Sequence, residues 1–408
     1  MTDSSREAAA PVAPPADHLP RSLLILLAAL TALLPATVET FSPMLQATGE
    51  ALGTRPGHVS AAMSAFVIAF AGAQIFGGAL GDALGRRRVV LGGLVLYIAA
   101  CVSASLATSF EMFVVAAMFM GLGSAAAVLL ARTIVRDRLD RLAAAKTLAT
   151  MGVLYGPVPI LSPLLSGALV SLFGWRMPLL MLAALTAIIL LMTLRHLPET
   201  LKPELRLPLH PVTVVRSFWS LARSRPLLAY VVGNAFAYSG IFIFASSAPQ
   251  VIIGTMGNST GHYAMMLALS TFGFMIGNMI SRRLVHRFSI EGTLRIGALF
   301  LLGGGLVSIV TTHEWPLAWA ALVLPQLLYA TGWGVVQPQM QAGALSLHPR
   351  AIGQASALVG FAQLSIAGLI VAVFSRVTDG SADALSLGTL TCGLMAALFA
   401  WAFIGRGN

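Results

Sequence analysis

Long apolar runs recur along almost the whole chain, separated by short segments that carry most of its basic residues. A helix needs about 20 mostly apolar residues to cross the hydrocarbon core of a bilayer. On that criterion the pattern predicts twelve membrane spans, at residues 21–44, 59–80, 88–106, 110–131, 143–172, 177–194, 226–248, 262–280, 294–311, 317–339, 354–374 and 384–404. Lipid leaves no water for unpaired backbone groups, so such spans must be helices and the chain is predicted to be an all-α membrane protein.

The spans divide into two sets of six around a longer polar segment, residues 195–225. This segment mixes six basic residues with four prolines, a composition typical of a solvated linker. We therefore predict an N-terminal half at 21–194, a cytoplasmic linker at 195–225 and a C-terminal half at 226–404. Residues 1–20 are rich in alanine and proline and are predicted to form a disordered cytoplasmic tail. Two halves of six spans are the layout expected of a transporter built from repeats.

The distribution of charge supports this topology. Only 10% of the residues are charged and 57% are hydrophobic, yet the net charge is +10. All but three of the 25 lysines and arginines fall on one side of the predicted membrane, the exceptions being Arg55, Arg176 and Arg376. Basic loops stay on the cytoplasmic side of membrane proteins, which places both termini in the cytoplasm. The positive charge is thereby explained without a nucleic-acid partner.

Glu39 is the one carboxylate inside a predicted span, because the other fourteen of the fifteen Asp and Glu residues fall in loops, tails or span ends. A carboxylate at mid-bilayer costs about 2.5–3.5 kcal/mol or more and usually faces a cavity. Burial favours its protonated form, which makes Glu39 a candidate for proton uptake and release. The alternative is a structural residue near the outer interface, hydrated beside Thr37, Thr40 and Ser42.

The turn after span two reads GALGDALGRR at 78–87. Its glycines permit close helix approach, and its aspartate can pair with the following arginine or cap the next helix. A plain basic loop would explain the arginines but not this spacing. The segment resembles the signature of the major facilitator superfamily, which implies a gate-locking charge network with the inner loop after span four. By that resemblance the network comprises Gly78, Gly81, Asp82, Gly85, Arg86, Arg87, Arg132, Arg136 and Asp137.

Further segments resemble the bicyclomycin/chloramphenicol (Bcr/CflA) group of drug:proton antiporters: LLARTIVRD (129–137), PILSPLLSG (159–167), FGWR (173–176), LPETL (197–201) and GQASALVGFAQ (353–363). The resemblance implies proton-coupled drug export by alternating access in the bacterial cytoplasmic membrane. We expect the chain to act as a monomer. The group carries an acidic residue, usually aspartate, where this chain has Glu39. No cofactor is implied. Cys101 and Cys392 lie inside apolar runs without metal-binding spacing, so no metal site or disulfide is predicted.

Span five concentrates residues that would cost several kcal/mol in an ordinary helix. One interpretation is a kinked packing helix, since glycine and proline are frequent in membrane spans. We favour a second, in which the segment resembles the antiporter signature of exporting facilitators and bends where the halves rock. The residues concerned are Gly152, Gly156, Pro157, Pro159, Pro163 and Gly167.

Aromatic and amide side chains on spans that face the central cavity of this fold are candidates for substrate binding, although most aromatic residues in spans pack or face lipid. An aromatic pocket with few polar groups would accept apolar, weakly polar or cationic drugs. The candidates are Tyr155, Asn234, Tyr238, Phe242, Gln326, Gln337 and Gln363.

Span four departs from the resemblance. Many drug antiporters carry a buried arginine there, followed three residues later by glutamine, whereas this chain has Ala117 and Met120. Arg132 lies four turns, or roughly 22 Å, further along the helix and is a poor substitute. Proton coupling in this chain is therefore expected to work without that arginine.

Other classes of function fit less well. An enzyme would show clustered histidine, aspartate or serine, but His210, His286, His348 and the others are scattered, mostly in loops. No P-loop for ATP is present, and the tails are too short for the soluble domain of a sensor. We expect a transporter and not an enzyme. Export of an endogenous metabolite, such as a siderophore or amino-acid derivative, stays open, and the breakers in span five argue against proton-coupled uptake.

Overall fold

A computed structural model describes residues 18–54, 59–201, 203–206, 219–258, 260–315, 318–348, 352–377 and 381–404. These residues are helical almost throughout. The N-terminal helices are α1 (Arg21–Ala51), α2 (Ser60–Leu84), α3 (Arg86–Ser105), α4 (Phe110–Arg138), α5 (Arg141–Tyr155), α6 (Val158–Phe173) and α7 (Met177–His196). The C-terminal helices are α8 (Arg225–Pro249), α9 (Thr260–Glu314), α10 (Val323–Ser346), α11 (Ile352–Val377) and α12 (Ala382–Leu398). The predicted tail lies outside the described residues except for its last three.

Ten helical segments in the described ranges are long and apolar enough to cross a membrane. That number takes α9 as one span, although Ser289, with φ at 61°, separates it into two. It also leaves out α10, whose 24 residues are long enough to cross but include four glutamines. With α9 divided and α10 included, the described helices make twelve crossings, α5 and α6 together forming one. The all-α membrane fold predicted from the sequence is confirmed.

Several helices have limits that differ from the apolar runs, and two of these differences concern the site described below. α4 continues to Arg138, seven residues beyond the predicted end at 131, and α10 lies over Val323–Ser346 instead of 317–339. Hydropathy places the end of the run among the glutamines of α10, but Gln326, Gln339 and Gln341 are buried in the protein and Gln337 is half-buried. Gln339, for example, is fully buried and donates from Nε2 to Oγ of Ser281 on α9, over 2.8 Å.

Span five is broken in its middle. α5 ends and α6 begins on either side of Gly156 and Pro157. Pro157 has no N–H to donate and its ring blocks a continuous helix, so the break follows from the sequence. Pro159 and Pro163 lie within α6, and Gly167 faces α1 at ordinary van der Waals distance.

The N-terminal and C-terminal helices meet along two seams. α2 packs against α11, and α5 packs against α9 and α10. At the first seam Gly78 faces Gly353, and a Cβ atom on either residue would collide with the backbone of the other helix. Both positions therefore require glycine for this approach.

Candidate functional site

A cavity of about 410 Å³ lies between the two sets of helices. α1, α2, α4, α5 and α6 line it from the N-terminal side, and α8, α9, α10 and α11 line it from the C-terminal side. Because both sets contribute walls, a shift of one set against the other would change the shape of the cavity.

Five of the seven predicted substrate residues line this cavity: Tyr155, Tyr238, Phe242, Gln337 and Gln363. Asn234 is buried behind the wall and donates from Nδ2 to Oε1 of Gln363, over 2.9 Å. Gln326 is buried in α10 and is not among the lining residues. The sequence could not separate these cases, because the four amide residues lie on spans with similar patterns.

Aromatic rings form much of the cavity wall. Tyr238 stacks on Phe242 with ring centroids 5.8 Å apart and meets Trp333 at 5.5 Å. Tyr155 on α5 meets Phe274 on α9 at 6.1 Å, which joins the two sets of helices. Such walls suit flat or apolar groups. Trp333 and Phe274 were not among the sequence candidates, since nothing in the apolar pattern distinguishes them from packing residues.

Glu39 reaches the same cavity from α1 and is partly buried. Behind it the fully buried Thr37 shares a 2.5 Å hydrogen bond with the hydroxyl of Tyr97 on α3. This bond fixes the backbone next to Glu39 against the N-terminal core. Glu39 therefore lies on the wall of the cavity.

Arg132 also lies in the cavity, although we expected it in the gating network. Its side chain is 8% exposed, and its Nη2 lies 3.5 Å from Oε1 of Gln74 on α2. The cause is the length of α4: the predicted span ended at residue 131, but the helix continues, so Arg132 is inside it. Among the cavity-lining residues of the described chain, Arg132 is the only base and Glu39 the only acid.

Among the described residues, no charged side chain takes the place of the arginine missing from span four. Ala117 and Met120 are both fully buried in the apolar core of the N-terminal helices. That region is packed by hydrocarbon and does not reach the cavity lining.

The turn after α2 does form a charge cluster, which we call the basic-end cluster: Asp82, Arg86 and Asp137. Arg86 is 2% exposed, and its Nη1 lies 2.6 Å from Oδ1 of Asp82. Its Nε donates to Oδ2 of Asp137, over 3.1 Å. A single guanidinium thus holds the ends of α2, α3 and α4 together. Arg136, from the predicted network, instead donates to the carbonyl of Leu139, over 2.9 Å.

The connection after α7 closes over this cluster. Glu199 accepts from the backbone N–H groups of Arg86 (2.9 Å) and Arg87 (3.3 Å), and so satisfies the first turn of α3. Thr200 donates to Oδ2 of Asp137, over 3.0 Å. Gly85 adopts φ of +97°, and a Cβ there would collide with the Glu199 carboxylate. The sequence analysis singled out the LPETL segment (197–201) for its resemblance to a family, but it did not predict that Glu199 and Thr200 contact the basic-end cluster.

The basic-end cluster touches the C-terminal helices as well. The Asp82 carboxylate lies against the first turn of α11, close to the backbone amide of Gln354, and a Cβ atom on Gly353 would come within 2.6 Å of its Oδ1. The positive end of a helix dipole favours a carboxylate at this place. Gly81, one turn of helix away from Gly78, lets α2 lie close to Leu130 of α4. The basic-end cluster therefore joins both sets of helices at the end of the bundle where the basic loops lie.

A second link crosses between the sets at the same end. Arg141, at the start of α5, donates from Nη2 to Oε1 of Glu291 on α9 at 2.5 Å and to the hydroxyl of Tyr230 on α8 at 2.9 Å. Arg141 and Glu291 are 39% and 25% exposed, so water screens the pair. No local pattern predicts this bridge, since the partners are 150 residues apart along the chain.

Replacing Glu291 with glutamine is expected to loosen this end by a small amount. A partly exposed ion pair contributes about 0.2–1 kcal/mol, so the ratio of molecules with this end closed to molecules with it open should fall by up to about fivefold. Electron–electron resonance distances between spin labels at exposed positions 88 and 347 would measure it. Glu314→Gln, an exposed change outside the bridge, should leave the distances unchanged. A shift equal in both variants would show that the bridge does not hold the two sets together.

Two sets of membrane-spanning helices line one cavity, and polar contacts join the two sets at one end. This arrangement is typical of a multi-pass membrane transporter. Residues 25–372 match the Major Facilitator Superfamily, and the chain belongs to that family. Its members are transporters and not enzymes.

The chain is 27% identical over 384 residues to Multidrug resistance protein D of Escherichia coli strain K12, covering 92% of this chain and 94% of that protein. It is 24% identical over 356 residues to a bicyclomycin resistance protein homolog of Haemophilus influenzae, covering 86% and 88%.

Solved structures agree on the fold. The FucP transporter of this superfamily in the outward conformation superimposes with a TM-score of 0.75 at 17% identity, covering 93% of this chain and 99% of that one. The human organic anion transporter MFSD10 superimposes with a TM-score of 0.69 at 20% identity, covering 93% and 97%. At such identities the similarity concerns the fold alone.

Proposed function

We propose that the protein is a proton-coupled exporter of small amphipathic drugs or toxic compounds in the bacterial cytoplasmic membrane. The observation that carries this proposal is a cavity shared by both sets of helices, with aromatic walls and one carboxylate, Glu39. Relatives named for multidrug and bicyclomycin resistance support the direction of transport and the class of substrate. We further propose that the chain acts as a monomer with both termini in the cytoplasm, as the basic loops indicate.

In this mechanism the two sets of helices alternate between states open to either side. A substrate in the cavity and a proton on Glu39 each shift the equilibrium by the difference in their affinity for the two states. The basic-end cluster and the Arg141–Glu291 bridge hold the cytoplasmic end closed in the outward-open state. The break in span five, at Gly156 and Pro157, supplies a place where α5 and α6 can change their angle.

Proton release from inside-out vesicles tests the proposal. Vesicles acidified inside by respiration should lose protons when bicyclomycin, chloramphenicol or tetraphenylphosphonium is added, because export in this orientation moves drug inward and protons outward. Quenching of a pH-sensitive dye reports the change, and vesicles without the protein give the background. Drug accumulation without proton counterflow would contradict the antiporter. If amino-acid derivatives release protons and no drug does, export of a metabolite is the better assignment.

A further inference from the structure

Arg132 is a buried cation for which the described residues supply no anion. Its Nε has no hydrogen-bond partner among them, and the one side-chain hydrogen bond that the guanidinium makes there is the 3.5 Å approach of Nη2 to Oε1 of Gln74. No ion pair in the described part of the chain joins it to Glu39, the other charge in the cavity. Asp82 and Asp137, the acids of the basic-end cluster, both pair with Arg86.

A buried guanidinium without an anion is costly in the membrane interior, and such groups usually face a cavity and mark a binding function. The guanidinium fork matches a carboxylate in two parallel hydrogen bonds, which a compact ammonium cannot do. Gln74 and Gln341 line the same cavity and add amide donors from α2 and α10. The polar part of the cavity is therefore suited to receive an anion.

We propose that Arg132 is the anion-recognising residue of the cavity and that the preferred substrates are aromatic or apolar molecules that bear a carboxylate. This inference rests on the proposed function only in taking the cavity as the transport site. It departs from the apolar or cationic drugs expected from the sequence, because the arginine was then assigned to the gate. The aromatic wall of Tyr238, Phe242 and Trp333 would take the ring system, and Arg132 would take the carboxylate.

Binding of three matched probes to the purified full-length protein in lipid nanodiscs tests the proposal. The probes are radiolabelled 2-naphthoate, 2-naphthamide and 2-naphthylmethylammonium, which share a ring system and differ in charge. At neutral pH the wild type should bind the naphthoate about 10- to 100-fold more tightly than the amide, the range expected for hydrogen bonds to a charged group. Arg132→Gln should reduce naphthoate affinity to that of the amide and leave amide affinity unchanged.

Arg138→Gln is the matched control, because Arg138 lies on the same helix but is exposed and outside the cavity lining. It should bind all three probes like the wild type. Arg132→Lys keeps the charge without the fork and should retain only part of the preference. Equal wild-type affinity for naphthoate and amide overturns the proposal without any variant, as does an Arg132→Gln protein that keeps the preference.

The result is independent of the vesicle assay. Naphthoate binding that depends on Arg132, in a protein that moves no protons, would support the anion site and contradict the exporter. Drug-driven proton release by a protein that binds naphthoate and naphthamide equally would do the reverse.

Discussion

Glu39→Gln is expected to abolish proton-driven export while the protein stays folded. Glutamine has nearly the same size as glutamate but cannot gain or lose a proton. Substrate should then still enter the cavity, yet its arrival can no longer displace a proton from α1. In acidified inside-out vesicles, substrate-driven proton release should fall to the level of vesicles without the protein, and cells should lose their drug resistance.

The stability of the Glu39→Gln protein should change little. Glu39 is partly buried and makes no ion pair within the described residues, so removing its charge leaves no partner unpaired. A change within about 1 kcal/mol in the free energy of unfolding is expected for a substitution of this kind. Thermal melting of the purified protein measures it and separates lost coupling from lost protein.

Two further variants serve as controls for Glu39→Gln. Glu39→Asp restores an acid on a side chain one methylene shorter and should keep proton coupling. Glu111→Gln removes an exposed carboxylate in the first turn of α4 and should behave like the wild type. If Glu39→Gln keeps full proton-driven export, the carboxylate in the cavity is not the coupling site and the mechanism proposed above is wrong.

The sequence was sufficient for the fold because a bilayer imposes length and polarity on every span. It was also sufficient for local features that depend on interactions between residues close together along the chain. Asp82 and Arg86 are four residues apart, and the break at Gly156 and Pro157 follows from the proline ring. Glu39 was identified because a charge within an apolar run is visible without any knowledge of packing.

The parts that sequence reasoning missed depend on tertiary contacts. We predicted Arg132 in a loop, because hydropathy shows where a run of apolar residues ends. A helix that is buried in the protein can continue past that point, as α4 does. The same error arose in α10: the predicted span ended at Gln339, a buried residue, but the helix continues to Ser346. The bridge from Arg141 to Glu291 joins residues 150 positions apart, and no local pattern encodes such a pairing.

Arg86→Gln is expected to have the largest structural effect of the changes considered. Arg86 is the one cation of the basic-end cluster, and its loss leaves Asp82 and Asp137 buried without a counter-charge. Breaking a buried pair by removing one partner costs about 3–5 kcal/mol. Because Asp82 also contacts the first turn of α11, part of this cost should appear as separation of the two sets of helices. Melting temperature should drop, and transport should fall with it.

Spin labels at positions 88 and 347 report the separation directly, since both positions are exposed at the basic end. In Arg86→Gln their distance distribution should move from the closed population to longer distances, well beyond the change expected for Glu291→Gln. Arg86→Lys keeps a charge that cannot contact both carboxylates in the same geometry and should lie between wild type and Arg86→Gln. Arg283→Gln removes an exposed arginine from α9 and should change neither stability nor distance. If Arg86→Gln keeps the wild-type melting temperature and label distances, the cluster does not hold this end closed. Loss of the only cation between two buried carboxylates that contribute to closure would have to change at least one of these two measurements.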